Sequence, residues 1–160
     1  MKRGLLTCAM VAFATGAGPS PRAADTKFWS LEDAPFRRTA QGRESAILWG
    51  DPDAGAYGML VRYPAGSGRG WHTHPNPVHL VVISGTWVVQ IEGGVTREIT
   101  AGGGSQEGAG VVHAGRCKEG APCVFLLTGE KKLSTQMVAL PGHGEPVHGQ
   151  PADASAQPRQ

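Results

Sequence analysis

Four of the chain's six histidines fall between Gly66 and His113, in a stretch cut into short apolar runs by glycine and proline. It opens GSGRGWHTHPNPVHLVVISGTWVV and closes AGGGSQEGAGVVH. His72 and His74 are two apart, so in an extended segment both imidazoles leave the same face. His79 stands at the start of Leu80-Val81-Val82-Ile83, and His113 ends another apolar run far downstream. Neutral imidazole is a common ligand for divalent transition metals, and strands remote in sequence can deliver such ligands to one ion. A small β-barrel with a metal pocket inside it is therefore expected.

The composition agrees. Twenty-four glycines and 12 prolines in 160 residues suit many short strands and many turns, and leave little room for helix. Strands are expected over residues 46–49, 57–63, 78–83, 87–91, 95–100, 111–113, 124–128 and 135–140. In the second of these, Tyr57, Met59, Val61 and Tyr63 share one face. Gly50-Asp51-Pro52-Asp53 reads as a turn, Ser84-Gly85-Thr86 and Gly93-Gly94 as hairpins. Residues 66–70 are glycine-rich, but no Gly-Lys-Ser/Thr and no helix follow, so they are expected to form a flexible approach rather than a phosphate-binding loop. One domain fits the length.

These residues also carry a resemblance. Cupins have a first motif G-x5-H-x-H-x(3,4)-E-x6-G and a second G-x5-P-x-G-x2-H-x3-N. Gly66, His72, His74 and Gly85 match the first; Gly102, Gly110 and His113 match the second. The chain resembles the cupins over roughly residues 45–138. The resemblance implies an all-β, cupin-type double-stranded β-helix, or jelly-roll barrel, over 45–140, with an N-terminal arm over 25–44. It also implies a site for a divalent transition metal (iron, manganese, zinc, copper or nickel) held by His72, His74 and His113. Two departures stand out. Val78 or His79 occupies the place of the glutamate, according to the spacer, and His79 is expected as a fourth, histidine-only ligand if its strand face turns inward. Gly108 replaces the second-motif proline and Cys117 its terminal asparagine.

Met1-Lys2-Arg3 followed by the short apolar run from Gly4 to Ala17 has the build of a secretory signal, too short for a permanent membrane anchor. A leader within residues 1–24 and a periplasmic or secreted location are therefore expected. Without Lys2 and Arg3, basic and acidic residues balance, which removes any electrostatic case for nucleic acid or an anionic membrane as partner. Cys8 would leave with the leader, and Cys117 and Cys123 remain, either as a disulfide or as two thiols with Cys117 beside the pocket. Residues 141–160, with His143 and His148, have the composition of a disordered tail.

The pocket needs more than ligands. Glu107, six residues before His113, is either a group that moves a proton or holds a histidine N–H, or an exposed loop carboxylate. Arg62, Tyr63 and Gln90 are candidates for the substrate wall. No Ser-His-Asp pattern appears. The expected function is a metal-dependent enzyme, dioxygenase-like, that oxidises or cleaves a small oxygen-rich substrate. The alternative is a non-catalytic periplasmic protein that binds a metal or a small ligand. Cupins often dimerise through sheet edges, and covering those edges would favour a homodimer here.

Overall fold

The structure is a computed structural model that describes residues 26–39 and 42–140. The leader, its cleavage site and the tail with His143 and His148 lie outside the described residues. Residues 26–33 belong to a unit of their own, in which the Ser30 hydroxyl accepts from the Asp33 N–H and donates to its carboxylate. Phe28 and Trp29, aromatic residues of that segment, are exposed.

From Ala34 onward every described regular element is a strand. They are β1 (Arg37–Arg38), β2 (Glu44–Gly50), β3 (Tyr57–Tyr63), β4 (Gly68–Thr73), β5 (Val78–Ser84), β6 (Thr86–Ile91), β7 (Thr96–Thr100), β8 (Gly104–Glu107), β9 (His113–Cys117), β10 (Cys123–Gly129) and β11 (Gln136–Met137). One sheet runs β1-β2-β3-β10-β5-β8 and the other β11-β4-β9-β6-β7, with all pairs antiparallel. From β3 onward successive strands change sheet, except for the β6–β7 hairpin across Gly93-Gly94. This is the jelly-roll path.

The crossings explain the glycines. Gly66, Gly85, Gly102, Gly110 and Gly120 all have positive φ, and each sits where the chain leaves one sheet for the other. Gly85 corrects the sequence reading. It does not turn a hairpin: β5 pairs with β8 and β10, whereas β6 pairs with β7 and β9. A side chain at Gly85 would combine an unfavourable φ of 74° with a Cβ 2.5 Å from the Pro122 carbonyl oxygen. The expected flexible approach over 66–70 is also revised, because Gly68-Arg69-Gly70 opens strand β4, with Gly68 and Arg69 paired to β9. Glycine lowers strand propensity, but here it is required: a Cβ at Gly68 would collide with the backbone of Gly115 and Arg116.

Between the sheets lies a core of Tyr57, Met59, Val61 and Tyr63 from β3, Val78, Leu80 and Val82 from β5, Trp87 and Val89 from β6, and Phe125 and Leu127 from β10. Tyr63, Trp87 and Phe125 form one aromatic cluster, with centroids 4.9–6.1 Å apart. The parity of β5 decides what the barrel contains. Val78, Leu80 and Val82 are buried, while Val81 and Ile83 are 45% and 41% exposed. His79 shares that outer face and is exposed. No helix among the described residues is long and apolar enough to cross a membrane, which says nothing of spans made by strands.

Candidate metal centre

β4 and β9 are neighbours in one sheet, and their register places His72 directly opposite His113. A bulge between Arg69 and His72 re-aims the end of β4. His74 follows two residues on, pinned where its carbonyl accepts the Gly110 N–H at 2.8 Å. The three rings converge with centroids 4.2–5.3 Å apart. One ring nitrogen from each lies within 4.8 Å of the other two, and all three residues are buried.

The outer nitrogens are all engaged. His72 Nδ1 lies 2.6 Å from the Gly70 carbonyl, His74 Nδ1 2.7 Å from that of Ser134, and His113 Nδ1 2.9 Å from that of Val111. A carbonyl only accepts, so each Nδ1 carries the hydrogen and each Nε2 lone pair is left facing inward. Backbone carbonyls holding the far side of each ring are the arrangement that orients imidazole ligands on a metal. Burial, the largest influence, pushes His72 down to about 3, with the charges of His113, His74 and Arg69 adding to it and the Gly70 carbonyl opposing. His74 is lowered chiefly by burial as well. Both rings are therefore neutral, the form that binds metal.

Glu107 completes the group. It is only 7% exposed, on β8 rather than in a loop, and its Oε2 lies 2.9 Å from His113 Nε2. That contact is off the line of a ring N–H, so buried Nε2 has no directed hydrogen bond. Burial pulls His113 down, but contact with the Glu107 carboxylate, its charge and the Val111 carbonyl raise it overall. The orphaned nitrogen, the inward lone pairs and the carboxylate suit a divalent cation, which these residues could hold.

The cluster sits in a cavity of about 40 Å³. Tyr63, Leu80, Trp87, Phe125 and Leu127 form its apolar wall, and Arg43 and Arg69 bring charge. Two sequence assignments to this wall are corrected. Arg62 faces away from the core, lies 3.8 Å over the Phe36 ring and donates to Glu44 at 3.1 Å. Gln90 is exposed on β6, between the inward positions Val89 and Ile91. His79 is corrected too: it points out of the barrel, and the metal group comprises His72, His74 and His113. Arg43 and Arg69 were missed, because one precedes β2 and the other sits in the glycine-rich stretch, where no alternation marks a face. Cys117 is not beside the pocket; it is joined to Cys123 in a disulfide in the core.

Residues 59–129 match the family described as Cupin domain. Those residues form a cupin domain. Among solved structures, this chain is similar to an RmlC-like cupin from Shewanella frigidimarina at 18% identity and a TM-score of 0.55, over 67% of this chain and 91% of that one. It is also similar to the polyketide cyclase RemF from Streptomyces resistomycificus at 18% identity and a TM-score of 0.60, over 72% and 87%. The DMSP lyase DddQ from Ruegeria pomeroyi aligns at 21% identity and a TM-score of 0.55, over 66% of this chain and 61% of that one. At these identities the likeness is one of fold. No curated protein matches the sequence.

Proposed function

We propose that this cupin is an exported, metal-dependent enzyme that oxidises or cleaves a small, oxygen-rich, anionic substrate. The observation that carries the reading is the convergence of three inward Nε2 atoms on a cavity that also holds two guanidinium groups free of ion pairs among the described residues. A bound divalent ion would supply Lewis acidity, with open positions for oxygen ligands. The chain supplies the rest. Arg43 and Arg69 attract and orient an anion, and buried Arg43 Nε still lacks a hydrogen-bond partner. Tyr63, Trp87 and Phe125 give an apolar aromatic wall of tilted rings. Glu107 holds negative charge beside His113. The cavity is small, about 40 Å³, which favours a small acid over a polymer.

Export is supported by the basic and apolar leader and by the Cys117–Cys123 bond, which suits an oxidising compartment. Enzymatic activity draws support from the fold shared with a lyase and a cyclase, at the level of analogy only. The test is turnover by metal-loaded protein with small diketones, phenols and thiols, each with and without a carboxylate, followed by oxygen consumption and product analysis. Carboxylated substrates should turn over, and Arg69→Gln should raise their KM about tenfold, roughly the loss of one charge-assisted contact. Tight binding without product would identify a binding protein instead.

A further inference from the structure

We propose that Glu107 is the fourth protein ligand of the metal, a carboxylate delivered from β8 where the cupin motif would deliver one from β5. The inference rests on the reading of His72, His74 and His113 as a metal site, and it replaces the histidine-only set expected from the sequence.

Register is the first ground. Val78 is the inward residue of β5 at the motif's glutamate position, and its Cα partner across the ladder is Glu107. The carboxylate that the motif would place on β5 is thus supplied by the adjacent strand at the same level of the barrel. His79, one residue along, is turned outward by the pleat and cannot substitute.

The second ground is an electrostatic conflict. His113 donates its Nδ1 hydrogen to the Val111 carbonyl, which leaves a lone pair on Nε2 in the neutral ring. That nitrogen lies 2.9 Å from a carboxylate oxygen set off the line of its lone pair, and both groups are buried. Two acceptors at this distance repel unless positive charge lies between or beside them. A proton on Nε2 would not point along the contact, because no directed hydrogen bond joins the two. A metal ion binding both atoms meets no such restriction. Ligand atoms at right angles on an ion with bonds of about 2.1 Å lie about 3 Å apart, which is the spacing found.

A third ground is the absence of a direct ion pair to Lys or Arg. Among the described residues Glu107 makes no ion pair with Lys or Arg. A buried carboxylate left in that condition is costly, and an ion shared with three imidazoles offsets the cost. Its charge also lowers the net charge of the centre by one, so the ion is a milder Lewis acid than an all-imidazole site would give.

The test is titration of cobalt(II) into metal-free full-length protein, read by calorimetry and visible absorption, with thermal melts to check folding. Glu107→Gln should weaken binding by more than about 100-fold, beyond the roughly 10–100-fold that loss of an outer partner costs, and should move the absorption band. Glu107→Gln combined with Val78→Glu should recover most of the affinity by restoring the carboxylate on β5. If the double variant does not fold, Glu107→His provides the second measurement: X-ray absorption should count one more imidazole on the ion than in the native chain. A loss of affinity for Glu107→Gln within the outer-partner range with an unmoved band, or an unchanged imidazole count in Glu107→His, overturns the proposal. In that case loss of binding in His72→Ala would leave the histidine site standing, whereas unchanged binding there would remove both readings.

Discussion

The two ends of β9 are opposites on one inward face. His113, at its start, sits among imidazoles, a carboxylate and arginines, with Nε2 left without a directed partner. Cys117, at its end, is fully buried, bonded to Cys123, and accepts the Cys123 N–H at 3.1 Å. Between them Gly115 lies under the Trp87 ring, in space that a Cβ would occupy. One end is closed by a covalent bond; at the other, buried His113 Nε2 and the Arg43 Nε of the same cavity lack directed partners. Buried groups of that kind are costly, so their presence around one cavity marks where the protein holds something else.

The largest difference between the ends should appear on removing a ligand. His113→Ala and His72→Ala should each abolish stoichiometric metal in purified protein, measured by elemental analysis, while the far-ultraviolet dichroism of the sheets persists. Metal retained at one ion per chain in either variant would end the contrast. Next in size, Gly115→Ala forces a methyl group into the Trp87 ring and should destabilise by about 1–3 kcal/mol, as overpacking does, seen as a lower midpoint in urea. An unshifted midpoint would mean that the middle of β9 is not tightly packed.

Opening the closed end should cost somewhat less. Replacing both Cys117 and Cys123 by Ala frees a loop of sequence separation 6, worth about 2 kcal/mol in the chain-entropy picture, and should leave cobalt affinity unchanged. Lost metal binding in that variant would show the two ends to be coupled. The smallest effect is expected for His79→Ala, an exposed site on the outer face of β5: metal content and stability should stay within about 0.5 kcal/mol of the native chain. It is the control for His72→Ala, and a loss of metal there would reverse the parity assigned to β5.

Much of this was legible beforehand. The spacing of His72, His74 and His113 announced a barrel site, because alternation and motif distance both survive in the one-dimensional sequence. That Tyr57, Met59, Val61 and Tyr63 share one face of a strand was legible as well, but not that this face is the inner one, since Arg62 on the other face reads equally well as a wall residue. β5 was not. Val78, Leu80 and Val82 are as apolar as Val81 and Ile83, so nothing local says which face is inside, and His79 was assigned to the wrong one. Gly85 failed for a related reason: a glycine at positive φ looks the same in the sequence whether it turns a hairpin or lets the chain cross between sheets.

The sequence by itself determined an all-β, glycine-punctuated fold and the shared direction of His72 and His74, because residue spacing in an extended segment sets side-chain direction; the jelly roll and the meeting with His113 followed from the resemblance to the cupin motifs. Only the tertiary structure decided that Glu107 stands opposite Val78, that Arg43 and Arg69 reach the cavity, and that Arg62, Gln90 and His79 do not. The reason is physical: which strand pairs with which, and in what register, depends on how two sheets close over a shared core, and no local pattern encodes that choice.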